Sequence, residues 1–363
     1  GSMIETAEAA VDYLRKEKSI KVGIVHVTSF RPFPGKQLTE ALHRVRSISV
    51  LERMDNPLAE SNPLTIETKA ALADYIQRDK SGNMKIPKIY SGSAGLGSRD
   101  VRPDDIIAVV ENMIKDDKKY FAIGIDHELG LPTRESTDIR PEGTFSMRGH
   151  SVGGYGSVTT NKVIATIVAD LFDMYVQAYP KYGSEKKGLP TTYYLTVSPS
   201  HVKTHNELEF VEFVPLNDVN AFNLANPLKG LQPEGMLFFQ TQKTNHSDIW
   251  SDIPQWAQKI ILNKKIKVLA LDTVKIAKDV SSQPDLVQRM QGIVLLGIFL
   301  NATPFLDRSG ISEGELMISV EKSLRKYFSN RGEQVVKDNL NCVKRGFKEV
   351  FEVTQPQKEE VLS

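Results

Sequence analysis

The chain of 363 residues contains a single cysteine, Cys342. One thiol excludes a disulfide framework, a four-cysteine iron–sulfur cluster and a multi-cysteine zinc site built from this sequence alone. Charge of one sign is not in excess either. Lys and Arg number 46 against 45 Asp and Glu, a formal net charge of +1, which leaves no electrostatic footprint for a nucleic-acid partner. No uncharged apolar run reaches the 18 residues that a membrane-spanning helix requires. The opening Gly1, Ser2 and Met3 lead into no basic stretch followed by an apolar one, so no secretory signal is expected and the setting reads as cytoplasmic. Gly-Ser ahead of Met reads as the remnant of a removed tag, which makes the chain an expected fragment. What is present is ordinary globular composition, 40% hydrophobic and 25% charged, over a length sufficient for two or three domains.

Periodicity divides the chain in two. Ala7, Ala10, Val11 and Leu14 recur at helical spacing and predict a helix over residues 5–16. An apolar stretch over 20–27 predicts a strand, and prolines at 32 and 34 a turn. Helices are expected over 35–43, 64–76 and 103–113, with strands over 47–52 and 88–90 and a glycine turn over 91–97. Asp104 and Asp105 fall in the first turn of the third of these helices, where the helix dipole favours acids. Alternation of this kind implies an α/β domain with a mostly parallel sheet, placed at residues 3–117. Residues 118–143 read as a linker or arm, with a strand candidate over 120–125. A second α/β domain with a helical C-terminal part is expected over 144–352. It would hold strands over 191–197, 210–215, 234–240 and 266–271, and helices over 157–177, 218–224, 272–277, 284–300, 312–328 and 332–352. Residues 353–363 are expected to fray.

The run RGHSVGGYGSVTTNK, residues 148–162, sits between a short apolar piece and a long apolar helix. Glycines there let the backbone turn tightly and approach a neighbour closely. The N–H groups of the following helix then point into the turn. The run lacks the residue order of an ATPase phosphate loop and of a dinucleotide fingerprint, so it reads either as a structural turn or as a cradle for a phosphate or polar cofactor. Under the second reading the candidate binding residues are Arg148, Gly149, Gly153, Gly154, Gly156, Ser157, Asn161 and Lys162, with Thr159 as a further donor or a satisfier of the helix backbone. Ser198 opens a Ser-Pro-Ser-His loop after a strand, where open α/β sheets place ligand crevices. His201 and His205 lack a matching third ligand, so no metal is expected. Asn217, Asn220, Asn223 and Asn226 read as local caps or as holders of a polar partner. No Ser–His–Asp order and no close carboxylate pair stands out, so the residues supply no complete catalytic machine.

Several stretches together resemble a known family. KVGIVHVTSFRPFP at residues 21–34, followed by ISVLER at 48–53, resembles the domain shared by transketolase C-terminal regions and 2-oxoacid:ferredoxin oxidoreductases. The run at 148–162 resembles the opening of the gamma domain of those oxidoreductases. YFAIGID at 120–126 resembles the segment that joins the two domains, and TVSPSHV at 196–202 the family's Ser-Pro loop. The resemblance covers most of residues 5–300. It implies a transketolase C-terminal-like α/β domain followed by a gamma domain, with the family's first strand, which normally precedes the helix at Glu5, not included. It implies part of an enzyme that oxidatively decarboxylates a 2-oxoacid, pyruvate foremost, on thiamine diphosphate with magnesium. Such enzymes pass electrons through iron–sulfur clusters to ferredoxin or flavodoxin and yield an acyl-coenzyme A. By this resemblance the chain holds no cofactor firmly by itself and is inactive alone. It supports the rest of a homodimeric assembly, and its glycine turn approaches coenzyme A. His150 and Tyr155 depart from the family's usual loop and either line a different route or pack. The competing expectation is a scaffold or interaction protein built on the same domain pair. A stand-alone transketolase-like enzyme is disfavoured, because no acidic thiamine-activating segment and no diphosphate-binding metal motif is visible.

Overall fold

A computed structural model describes the chain except for residues 1–2, 79–84, 133–135, 153–156, 182–189, 219 and 356–363, and the side chains of residues 157 and 158. The described residues divide into two compact units, one made of residues 1–139 with 203–207, the other of 140–202 with 208–363.

In the first unit the predicted apolar stripe builds α1 (Ile4–Glu17), with Ala7, Ala10, Val11 and Leu14 buried. α2 (Gly35–Leu42), β1 (Ser47–Glu52), α3 (Pro63–Gln77), β2 (Lys88–Ser93), α4 (Pro103–Lys115) and β3 (Tyr120–Ala122) follow. The three strands form a parallel sheet in the order β1-β2-β3. The pleat sorts their side chains. Ile48, Val50 and Ile89 face Leu72 of α3 and Leu42 of α2. Leu51, Tyr90 and Phe121 face α1 and α4. α3 starts where Glu52, at the end of β1, turns its carboxylate to accept the N–H groups of Leu64 (2.7 Å) and Thr65 (3.1 Å). A strand terminus thus satisfies donors that a helix leaves open. Residues 20–27 depart from expectation, because they pair with no strand among the described residues. Their backbone contacts are local, Ile20 N–H to Leu14 and Val22 N–H to Ile20. Extended sequence becomes a ladder only beside another edge at about 4.8 Å, and the edge of β1 lies across an open cleft.

The second unit runs β4 (Phe145–Val152), α5 (Ser157–Phe172), β5 (Tyr175–Lys181), β6 (Pro190–Ser198), β7 (Val211–Leu216), α6 (Ala221–Leu224) and β8 (Leu231–Gln240). It continues through α7 (His246–Ser251), α8 (Gln255–Lys264), β9 (Lys267–Leu271), α9 (Thr273–Val280), α10 (Val287–Ala302), α11 (Phe305–Ser309), α12 (Glu313–Phe328), α13 (Glu333–Glu349) and β10 (Phe351–Glu352). One seven-stranded sheet has the order β10-β9-β8-β7-β4-β6-β5. β4, β7, β8 and β9 are parallel, whereas β6 is antiparallel to both β4 and β5. Helices cover both faces. α5, α9, α10, α12 and α13 pack on Met147, Tyr193, Phe213 and Phe238, and α7 and α8 on Tyr194, Val214, Leu237 and Phe239. The helix predicted to reach residue 177 ends at Phe172. Asp173 takes the left-handed conformation (φ +51°) and the chain turns into β5. The helix predicted to reach 352 ends at Glu349, and the next residues pair with β9.

Candidate functional site

β4 feeds α5, and the chain then builds β6 and β5 on one side of β4. β7 lies on its other side and leads on to β8 and β9. The direction of travel across the sheet therefore reverses between β4 and β7, and an open α/β sheet forms its ligand crevice outside the carboxyl ends of the strands at such a point. The residues at that edge are polar, some buried and some half-buried. Asn217, just past β7, donates its N–H to the carbonyl of His150 (2.9 Å) and its side-chain amide to the Tyr193 hydroxyl (3.2 Å). Tyr193 is fully buried, and burial pushes its phenol pKa up despite that bond. At the ends of β8 and β9, Gln240 bridges to Asp272 (3.1 Å) and accepts from the Thr273 N–H (2.8 Å).

Among the described residues, three buried side-chain atoms at this edge lack a hydrogen-bond partner: Nε2 of His150, Oγ of Ser151 and Oδ1 of Asn161. Asn161, in the second turn of α5, gives its Nδ2 to the carbonyl of Tyr194 (2.8 Å). A carbonyl can only accept, so this bond fixes the amide orientation and leaves Oδ1 as the open acceptor. Burial, with the nearby positive charge of Arg148, pushes the His150 imidazole down to about 4, so it is neutral at physiological pH. The group can bind and orient by hydrogen bonds, and among its described residues no nucleophile is paired with a base.

The residues singled out from sequence separate into distinct roles. Arg148 is buried, and its guanidinium donates to the carbonyls of Leu208 (3.2 Å), Pro227 (3.0 Å) and Lys229. It ties β4 to the segment before β7 and to the one between β7 and β8. Gly149 is a packing glycine, since a Cβ there would meet the Tyr193 ring at 1.9 Å. Gly153, Gly154 and Gly156 lie outside the described residues, as does the side chain of Ser157, whose backbone opens α5. Asn161 and Lys162 are adjacent on α5, the first buried and the second exposed. Ser198 is elsewhere. β6 runs antiparallel to β4, so Ser198 ends it beside Phe145, at the opposite edge of the sheet from His150. Its hydroxyl is within reach of Thr144 Oγ1 (3.3 Å) and accepts from the Ser200 N–H (3.3 Å). The Tyr193–Asn217 bond and the Gln240–Asp272–Thr273 cluster had no sequence signal, because each joins strands far apart in the chain.

Residues 146–349 match the family described as pyruvate ferredoxin/flavodoxin oxidoreductase, and residues 1–106 match pyruvate:ferredoxin oxidoreductase core domain II. The pyruvate:ferredoxin oxidoreductase of Moorella thermoacetica is 27% identical over 361 residues, which cover 98% of this chain and 29% of that protein. A probable pyruvate-flavodoxin oxidoreductase of Escherichia coli K12 is 27% identical over 361 residues, 97% of this chain and 29% of the relative. Among solved structures, a pyruvate oxidoreductase subunit PORC of Thermotoga maritima aligns with TM-score 0.44 and 20% identity, over 58% of this chain and 99% of that one. The chain thus spans about 29% of the length of these two relatives.

Proposed function

This chain belongs to the pyruvate ferredoxin/flavodoxin oxidoreductase family, and from that premise we propose that it is the supporting portion of an enzyme that oxidises a 2-oxoacid, pyruvate foremost, to an acyl-coenzyme A. The observation that carries this reading is the order of the two matches, core domain II over residues 1–106 and then the oxidoreductase match over 146–349, along nearly the whole chain. Its partners in this reading are the remaining portions of the enzyme, in a homodimeric assembly, with ferredoxin or flavodoxin receiving the electrons. The residues present do not fit an iron–sulfur cluster. Cys342 is the one thiol of the sequence, and burial pushes it up to about 12, so it is not a thiolate available for ligation. Electron transfer through clusters is therefore assigned to portions of the enzyme other than these residues, and so is the thiamine diphosphate chemistry, for which the sequence shows no acidic activating segment.

What the chain's own residues would do is bind and position coenzyme A at the crevice beside β4 and β7. Asn161 Oδ1 and Ser151 Oγ offer hydrogen bonds to an amide-bearing arm, and Lys162 offers an exposed ammonium to a phosphate. With Arg148 committed to main-chain carbonyls, the cationic share of the site falls to Lys162. Steady-state kinetics of the assembled enzyme tests this. Lys162→Ala is expected to raise the KM for coenzyme A severalfold with kcat and the KM for the 2-oxoacid unchanged. An unaltered KM for coenzyme A would remove the residue from the site. The chain by itself is expected to show no reduction of methyl viologen with pyruvate and coenzyme A, and measurable turnover would refute its supporting role.

A further inference from the structure

The turn that follows β2, residues 94–98, has a shape set by its own sequence. Gly95 (φ +62°, ψ +24°) and Gly97 (φ +62°, ψ +32°) are left-handed, Leu96 stands between them in a single 3-10 turn, and Ser98 follows at φ +60°. Alternation of left- and right-handed residues turns consecutive N–H groups toward one side and makes a concavity suited to an anion. Among the described residues, the N–H groups of Gly95, Leu96 and Gly97 have no acceptor. Those on either side do. Ala94 N–H donates to the carbonyl of Glu52 (2.8 Å) and Arg99 N–H to that of Leu96 (3.3 Å). Packing does not demand the shape at the tip, since a Cβ on Gly97 would meet nothing within 4 Å. Glycine is needed there for conformation alone, and Ser98 holds a left-handed conformation that disfavours any residue with a side chain.

The sheet brings a cation to the same place. β1 and β2 are parallel and stay in register to their last residues, Glu52 beside Ser93. Arg53, the next residue after β1, therefore reaches the turn after β2. Its side chain crosses Gly95 so closely that a Cβ there would stand 2.9 Å from Nε and 3.1 Å from Cζ. The guanidinium thus lies against the turn that carries the three open N–H groups. Arg99, two residues past Gly97, adds a second exposed guanidinium, with Nη1 3.4 Å from the carbonyl of Gly124. The neighbouring acids have donors of their own. Glu52 accepts from Leu64 and Thr65, Asp55 from the Ser93 hydroxyl (2.8 Å) and Asp100 from the Glu207 N–H (2.9 Å). In the first turn of α4, Asp105 accepts from the Arg102 N–H (2.8 Å) and Asp104 from the Thr137 N–H (3.0 Å). α4 thus meets its N-terminus with its own carboxylates, and the donors left open are those of the turn.

We propose that this turn is a phosphate site, in which the N–H groups of Gly95, Leu96 and Gly97 and the guanidinium of Arg53 hold the oxygens of free phosphate or of a small phosphate ester. The donor set decides the class. Main-chain N–H groups and guanidinium donate only, so the ligand must accept throughout. A phosphate group spreads its charge over more acceptor oxygens than a carboxylate has, and it matches a guanidinium fork beside further donors. The site belongs to the first unit and is independent of the coenzyme A reading of the second.

Nuclear magnetic resonance tests this on the full chain carrying isotope-labelled glycine and leucine, titrated with inorganic phosphate at constant ionic strength. The amide resonances of Gly95, Leu96 and Gly97 are expected to move together and saturably, with sulfate competing and chloride without effect. Arg53→Gln should weaken phosphate binding about tenfold, the loss expected of a hydrogen bond to a charged group. Gly97→Ala, for which there is room but no favourable φ, should weaken it as well. Amides of Gly292, Gly297 and Gly346, in the second unit, serve as the folding control in each variant. Ethyl phosphate in place of inorganic phosphate separates the sources: tighter binding of the ester identifies an esterified ligand, and tighter binding of inorganic phosphate the free ion. Absence of a saturable shift at residues 95–97 would overturn the proposal. So would the same shift with chloride, or an affinity that neither substitution changes.

Discussion

Gly149 decides the packing at the heart of the second sheet. The Tyr193 ring lies across it from β6 to reach Asn217 beyond β7, and no other residue leaves that path open. Gly149→Ala forces a methyl group to within 1.9 Å of a fully buried ring. Overpacking of this kind costs on the order of 1–3 kcal/mol, and urea unfolding should show it as a lower midpoint at unchanged slope. His150 makes a different statement, about pH. Its folded value of about 4 lies below its unfolded value of 6.5, so the unfolded chain takes up a proton that the folded chain refuses. The stability tied to this group is intact above pH 6.5 and is lost as pH falls toward 4, to a limit of roughly 3 kcal/mol. His150→Gln should flatten the stability profile across that window, and an unchanged profile would show that the ring is not held neutral. Arg148 marks the limit of legibility at this scale. Its type and its glycine-rich neighbourhood suggest an anion donor, whereas its acceptors lie 60, 79 and 81 residues away. Only the folded chain shows that those carbonyls reach it first.

Elements were legible where one face is apolar and the ends carry their own signals. α1, α3 and α4 begin and end close to where apolar spacing, proline and acidic first-turn residues put them. Failures came where a partner outside the segment decides. Residues 20–27 have strand sequence but no neighbouring edge. The helix predicted over 157–177 runs instead into β5, because a short apolar stretch fits either period and Asp173 breaks the helix with a positive φ. Helix packing gave no sequence signal either, yet it depends on two small residues. Where α10 crosses α13, a Cβ on Gly346 would lie 2.2 Å from the carbonyl oxygen of Val294, and one on Gly297 2.1 Å from that of Val343. The two backbones touch, and neither carbonyl can retreat without breaking its helix. Gly346→Val should destabilise the second unit by about 3 kcal/mol or more, at the upper end of overpacking costs. Thermal unfolding followed by circular dichroism would read this as a large drop in Tm, and a drop of only a degree or two would mean that the helices can part.

At the scale of the whole molecule, the mixed α/β character of the chain was readable from the alternation of helix and strand. The sheet topology was not, because β6 turns back antiparallel where a parallel continuation was the natural expectation, and that reversal carries Ser198 away from the crevice. The hydrophobic clusters respect the division into two units. Those of the first hold residues up to Leu131, and those of the second begin at Phe145. A lesion in one core should therefore leave the other's stability close to unchanged, as for sites without shared partners. Both tryptophans of the sequence, Trp250 and Trp256, belong to the second unit, so indole fluorescence reports that unit alone while circular dichroism reports both. Leu72 is fully buried between α3 and the first sheet, and Leu72→Ala should cost about 2–5 kcal/mol there. The expected result is a dichroism curve that splits or shifts at its low-temperature end while the fluorescence midpoint stays in place. Leu296→Ala, in the core of the second unit, should do the reverse and move the fluorescence midpoint. If Leu72→Ala shifts both signals together, the units unfold as one, and the separation of their cores does not govern their stability.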